Sequence, residues 1–124
     1  MPTALVIDDS SATRMILARI LTEIGYTVEK AENGADGLEK LNAMPKPELV
    51  MVDWNMPVMN GYEFIQNARA LPQYDDVTLM MVTTETEIEQ VLKALEAGAN
   101  EYVMKPFTKD VIHEKLILLG LGAR

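Results

Sequence analysis

Cysteine is absent from this chain of 124 residues, which excludes a disulfide framework and any thiolate metal site. Positive charge is scarce: 11 Lys and Arg stand against 19 Asp and Glu, leaving a formal charge of −8. Duplex binding depends on clustered Lys and Arg neutralising phosphates, so nucleic acid is not expected as a direct partner. Basic or metal-bridged partners fit better. The N-terminal apolar run, Ala4 to Ile7, is only four residues long and stops at two aspartates, too short for a signal segment or a membrane span. A cytoplasmic protein with no membrane association is expected. Low-complexity tracts, internal repeats and Pro/Gly-rich linkers are also missing, and the length suits one hydrophobic core, so a single domain over residues 1–124 is expected.

What is present is an alternation of apolar runs and amphipathic stretches. Ala4 to Ile7 reads as a buried strand ending at Asp8, Asp9, Ser10 and Ser11. Ser10 or Ser11 can cap a first helix with Ile16, Ile20 and Ile24 at helical spacing, stopped by Gly25. Tyr26 to Ala31 is the second strand, followed by an Asn33-Gly34 turn and a helix carrying Leu38 and Leu41. Leu49 to Val52 is a third strand and again ends in an aspartate, Asp53. Gly61 opens a helix with Phe64, Ala68 and Leu71 on one face. Val77 to Val82 forms the fourth strand, ending at Thr83, and Ile88, Val91, Leu92 and Leu95 mark the next helix, stopped by Gly98. Tyr102 to Met104 is the last strand, ending at Lys105 and Pro106, and Thr108 can cap a final helix through Ile112, Leu116 and Leu119. Five strand-helix repeats imply an α/β fold, a doubly wound parallel sheet with helices on both faces and binding at the C-terminal edge of the strands.

At that edge the pattern gathers Asp8, Asp9, Asp53, Thr83 and Lys105, each where a strand runs out. Singly, each has an ordinary explanation: the Asp pair as helix capping, Asp53 as a turn residue, Thr83 as a solvated strand end, Lys105 as a surface cation. Five such residues at the right strand ends together are not a coincidence of composition. Clustered carboxylates raise each other's pKa unless a cation compensates, and an oxygen-only ligand set favours Mg²⁺, with Asn55 offering a backbone carbonyl. A carboxylate such as Asp53 can attack phosphorus to form an acyl phosphate, with Thr83 donating a hydroxyl proton and Lys105 a compact positive charge.

With these residues in place, the chain resembles the receiver domains of two-component response regulators, and more narrowly the single-domain chemotaxis regulators of the CheY type. The resemblance rests on Leu5-Val6-Ile7-Asp8-Asp9-Ser10, on Val52-Asp53-Trp54-Asn55-Met56-Pro57 with Met59-Asn60-Gly61, on Val82-Thr83, on Gly98-Ala99 and on Tyr102-Val103-Met104-Lys105-Pro106-Phe107. It implies a flavodoxin-like receiver fold of five strands in the order 2-1-3-4-5 with five helices. It implies Asp53 as the phosphoacceptor, Asp8, Asp9, Asp53 and the Asn55 carbonyl around one Mg²⁺ per chain, Thr83 and Tyr102 as the switch pair, Lys105 as the site cation, and a cis bond before Pro106. The implied donor is a phosphohistidine on a sensor histidine kinase, the chemotaxis kinase by resemblance. The implied output is a target protein meeting the face of helix four, strand five and helix five. The expected chain is a monomer that catalyses its own phosphotransfer and autodephosphorylation rather than turning over a separate substrate. Output to a motor and action as a phosphate sink are both compatible with the sequence.

Asn55 and Glu85, each two positions after a site residue, would flank the path of a hydrolytic water and tune phosphoryl loss. Thr84 departs from the small residue usual beside the switch threonine in this family. In the last helix Leu116, Ile117, Leu118, Leu119 and Leu121 span more than one helical stripe, which leaves some free for a partner or for self-association, with terminal packing the favoured expectation. His113 has no metal-ligand companion and receives no role, Asp75 and Asp76 read as turn residues, and Trp54, the one tryptophan, adjoins Asp53 as a built-in probe. A flavodoxin-like cofactor binder would need a Gly- or hydroxyl-rich loop after strand one, where two aspartates stand. A small metal-dependent phosphatase using Asp53 as nucleophile would need a cap to enclose its substrate. A phosphorylation-independent receiver-like scaffold would have no use for the intact acidic, Thr and Lys set.

Overall fold

The structure is a computed structural model that describes residues 2–84 and 88–121. Five parallel strands, β1 (Thr3–Ile7), β2 (Thr27–Ala31), β3 (Leu49–Asp53), β4 (Thr78–Thr83) and β5 (Glu101–Met104), lie in the order β2-β1-β3-β4-β5. Between and after them run α1 (Ser11–Ile24), α2 (Gly34–Ala43), α3 (Gly61–Arg69), α4 (Ile88–Ala97) and α5 (Lys109–Leu118), with a short 3-10 turn at Pro72–Tyr74. This is a doubly wound parallel α/β fold with the strand order expected.

Alternation along the strands splits the core in two, because successive strand side chains point to opposite faces. Leu5, Ile7, Val50, Val52, Leu79 and Met81 pack with Leu41 of α2, Phe64, Ile65 and Ala68 of α3, and Val91 and Ala94 of α4. Ala4, Val6, Leu49, Met51, Met80 and Val82 pack with Leu17, Leu21 and Ile24 of α1 and Ile112 and Leu116 of α5. Both faces are covered, which is why the central strands read as unbroken apolar runs.

The helix faces differ from expectation in two places. In α1 the buried row is Leu17, Ile20, Leu21 and Ile24, while Ile16 is 49% exposed. Residues four apart drift by about 40° per step around a helix, so a row centred on Leu17 and Ile24 leaves Ile16 beyond its edge. In α4, Val91 and Ala94 are buried but Leu92 and Leu95 are 67% and 38% exposed, because the helix meets α3 and β4 along one narrow stripe. Tyr26 lies just before β2 and belongs to the stop of α1: Gly25 adopts φ 128°, and the Gly25 and Tyr26 amides bond back to Thr22 and Leu21 carbonyls. The fourth strand likewise begins at Thr78, with the Val77 amide donating to the Tyr74 carbonyl of the preceding turn. Leu119 and Leu121 pack under the end of α5, but Ile117 and Leu118 face solvent, since one helix offers the sheet one stripe. Among the described residues no helix is long and apolar enough to cross a membrane.

Candidate functional site

The register of the sheet carries the strand ends to one place. Ile7 pairs with Val52, Asp53 with Val82, and Thr83 with Met104, so Asp8, Asp53, Thr83 and Lys105 emerge side by side at the C-terminal edge. Further bonds pin the exits: the Trp54 amide donates to the Val82 carbonyl at 3.0 Å and the Lys105 amide to the Thr83 carbonyl at 2.7 Å. The Lys105-Pro106 peptide bond is cis.

Asp8 is fully buried, Asp53 is 6% exposed, and Asp9 stands in solvent. One carboxylate oxygen from each of the three lies within 4.8 Å of the others. Lys105 Nζ donates to Asp53 Oδ1 at 3.1 Å and lies 3.8 Å from Asp8 Oδ2. Asp8 Oδ1 accepts from the Ser10 amide at 2.9 Å, whereas the buried Asp8 Oδ2 has no hydrogen-bond partner among the described residues. Burial first, and the neighbouring Asp8 carboxylate second, push the Asp53 carboxyl up to about 6, against the pull of Lys105. Burial likewise raises Asp8, opposed by the Ser10 amide and Lys105. One lysine does not neutralise this cluster. A buried oxygen without a donor, beside two more carboxylates and with oxygen ligands only, fits a hard divalent cation.

Thr83 is fully buried as a residue and, among the described residues, its hydroxyl makes one long bond, 3.4 Å, to the Thr84 carbonyl. Tyr102, level with Met81 in the sheet, is half-buried against the α2–α4 side of the core. Asn55 is exposed two residues past Asp53, and Glu85 lies outside the described residues. Trp54 is half-buried, its ring centroid 5.8 Å from that of Tyr62.

Two contributors were missed from the sequence. Arg14 Nη1 donates to the Asp8 carbonyl at 2.6 Å, fixing the turn that presents Asp8 and Asp9. A cation in the first turn of a helix opposes the macrodipole, and that mismatch was the available signal. The close approach at Gly61, read above only as the opening residue of a helix, is the second. Asn60 caps α3 reciprocally with Glu63, and the Gly61 amide donates to the Trp54 carbonyl at 3.0 Å, drawing the helix against the end of β3. A Cβ at Gly61 would fall on the Asp53 carbonyl oxygen and 3.0 Å from Trp54 Cα, both backbone. Gly61→Ala is therefore expected to cost about 1–3 kcal/mol in chemical unfolding and to shift Trp54 emission, since backbone must move to make room. Wild-type stability and emission in that variant would mean that the contact is slack.

Residues 4–117 match the family described as response regulator receiver domain. A chemotaxis protein CheY1 of Helicobacter pylori is 42% identical over 118 residues, covering 94% of this chain and 95% of that protein. A chemotaxis protein CheY homolog of Campylobacter jejuni is 43% identical over 121 residues, covering 96% and 93%. Among solved structures, chemotaxis protein CheY4 of Vibrio cholerae aligns with a TM-score of 0.87 at 33% identity, covering 95% of this chain and 98% of that one.

Proposed function

This chain belongs to the response regulator receiver domain family, and we propose that it is a chemotaxis switch in which Asp53 takes a phosphoryl group from a sensor histidine kinase. The observation that carries this reading is the acidic cluster: carboxylate oxygens of Asp8, Asp9 and Asp53 within 4.8 Å of one another and, among the described residues, one lysine for three carboxylates and a buried Asp8 oxygen without a donor. The whole chain, residues 1–124, is read as one receiver domain, cytoplasmic and monomeric.

An Asp53 carboxylate oxygen attacks the phosphorus of the phosphohistidine; the new P–O bond forms as the P–N bond breaks, and the imidazole leaves with the electron pair and takes up a proton. Asp8, Asp9, Asp53 and the Asn55 carbonyl would hold one Mg²⁺, which when bound supplies positive charge to the carboxylates and the phosphoryl oxygens. Lys105, already on Asp53 at 3.1 Å, orients the nucleophile and then pairs with the phosphoryl group. The Thr83 hydroxyl, whose one bond among the described residues is the long contact to Thr84, turns to donate to a phosphoryl oxygen, and Tyr102 moves inward behind it. Asn55 and Glu85 line the approach of the water that ends the signal. The downstream target meets the face of α4, β5 and α5, where Leu92, Val111, Ile117 and Leu118 are exposed.

The test is a titration with Mg²⁺ and then beryllofluoride, a phosphoryl mimic, followed by Trp54 fluorescence in wild type and Asp53→Asn. Both additions are expected to change wild-type emission saturably, and Asp53→Asn to abolish the second change. A wild type that responds to neither refutes the phosphoacceptor reading.

A further inference from the structure

We propose that Lys115 and Glu101 form a latch on Tyr102 that restrains its inward movement, an inference that rests on the switch reading above. Lys115 Nζ stands 4.4 Å from the centroid of the Tyr102 ring, well inside the range of a cation–π contact. The same nitrogen lies 3.3 Å from Glu101 Oε1, and that oxygen also accepts the Tyr102 backbone amide at 2.9 Å. One carboxylate oxygen thus holds both the backbone of Tyr102 and the cation over its ring.

Three features make this more than a surface ion pair. The Lys115 and Glu101 side chains are only 25% and 24% exposed, so solvent screens their attraction less than it does that of the open Lys46–Asp76 pair, at 48% and 70%. Lys115 follows the buried Ile112 and precedes the buried Leu116 on α5, so its backbone is anchored to the core while its ammonium reaches across to the edge strand. The aromatic it covers is the side chain that the switch must move, on a strand bonded on one side only. When the ring leaves, Lys115 keeps Glu101 but loses the ring face, so the restraint bears on Tyr102 alone. The pair therefore acts through Tyr102 as positioning residues and touches none of the reacting atoms.

The latch is tested by two measurements on the full chain. The first is a double-mutant cycle of Lys115→Met and Tyr102→Leu on metal-free unfolding, where the coupling is expected to change the unfolding constant about two- to fivefold. The second is the beryllofluoride midpoint at saturating Mg²⁺, read from Trp54. Lys115→Met keeps the aliphatic stem and loses the charge, so its midpoint is expected to fall about two- to fivefold. Lys115→Arg retains a cation for the ring and is expected to keep the wild-type midpoint, and Glu101→Gln to lie between. No coupling in the cycle, or a midpoint that Lys115→Met leaves unchanged or raises, overturns the latch. A wild type deaf to beryllofluoride overturns the proposed function instead, and the cycle then decides by itself whether Lys115 holds Tyr102.

Discussion

The Asp53→Asn variant is expected to be more stable than wild type in metal-free buffer at about pH 7.5, by about 1–3 kcal/mol, while losing all phosphoryl uptake. The two effects share one cause. Burial and Asp8 raise the Asp53 carboxyl to about 6, against an ordinary value of 3.8, so the folded state holds its proton more tightly than the unfolded chain does. Stability then falls as pH rises between those two values, and above about pH 6 the full penalty, about 3 kcal/mol, persists. Asparagine removes the charge at nearly the same volume and can still accept from Lys105. Part of the gain is given back because Lys105 loses its charged partner at 3.1 Å and keeps only Asp8 at 3.8 Å. Urea unfolding of both proteins at about pH 7.5 and about pH 4.5 checks this, with the advantage expected to shrink at the lower pH. A variant that is no more stable at the higher pH would mean that Lys105 already compensates the cluster.

The strand ends were legible because the chemistry of the site interrupts the apolar runs that define the fold. Ala4 to Ile7 and Leu49 to Val52 are buried on both faces, so the aspartates that follow them had to lie at an edge. Parallel topology then fixed which edge. Which side of a helix is buried is a tertiary question: Ile16 and Leu17 are equally apolar, and only the position of the sheet sends one outward and the other inward. Leu92 was misplaced for the same reason, because the i, i+4 rule describes a row without saying where its centre lies. Arg14 and Lys115 escaped detection because their partners, the Asp8 carbonyl and the Tyr102 ring face, are brought to them by folding; the sequence marks Arg14 only as a cation at the wrong end of a helix and does not mark Lys115 at all. The raised Asp53 carboxyl follows from type and placement in direction, but its size depends on burial that folding alone defines.

Mg²⁺ affinity is expected to fall about tenfold between about pH 7.5 and about pH 5, and to level off above about pH 7. The cation needs ionised carboxylates, and a proton on Asp53, held up to about pH 6, must leave before it can bind. At pH 5 about nine in ten Asp53 carboxyls carry that proton, which sets the tenfold loss; Asp8, raised in the same direction by burial, steepens it. Above pH 7 the repelling charges are already present and the cation relieves them, so Mg²⁺ at about ten times its dissociation constant should add about 1.4 kcal/mol to wild-type stability. Calorimetric titration in two buffers of different ionisation enthalpy at about pH 6 reads the protons released, expected to be about half of one from Asp53 alone. Asp53→Asn separates the contributions: it removes one ligand and the titration near 6 together, so its weaker Mg²⁺ binding should vary with pH only through Asp8. An affinity in wild type that is flat from pH 5 to pH 7.5 would place the bound cation away from Asp53, on the Asp8 and Asp9 side of the cluster.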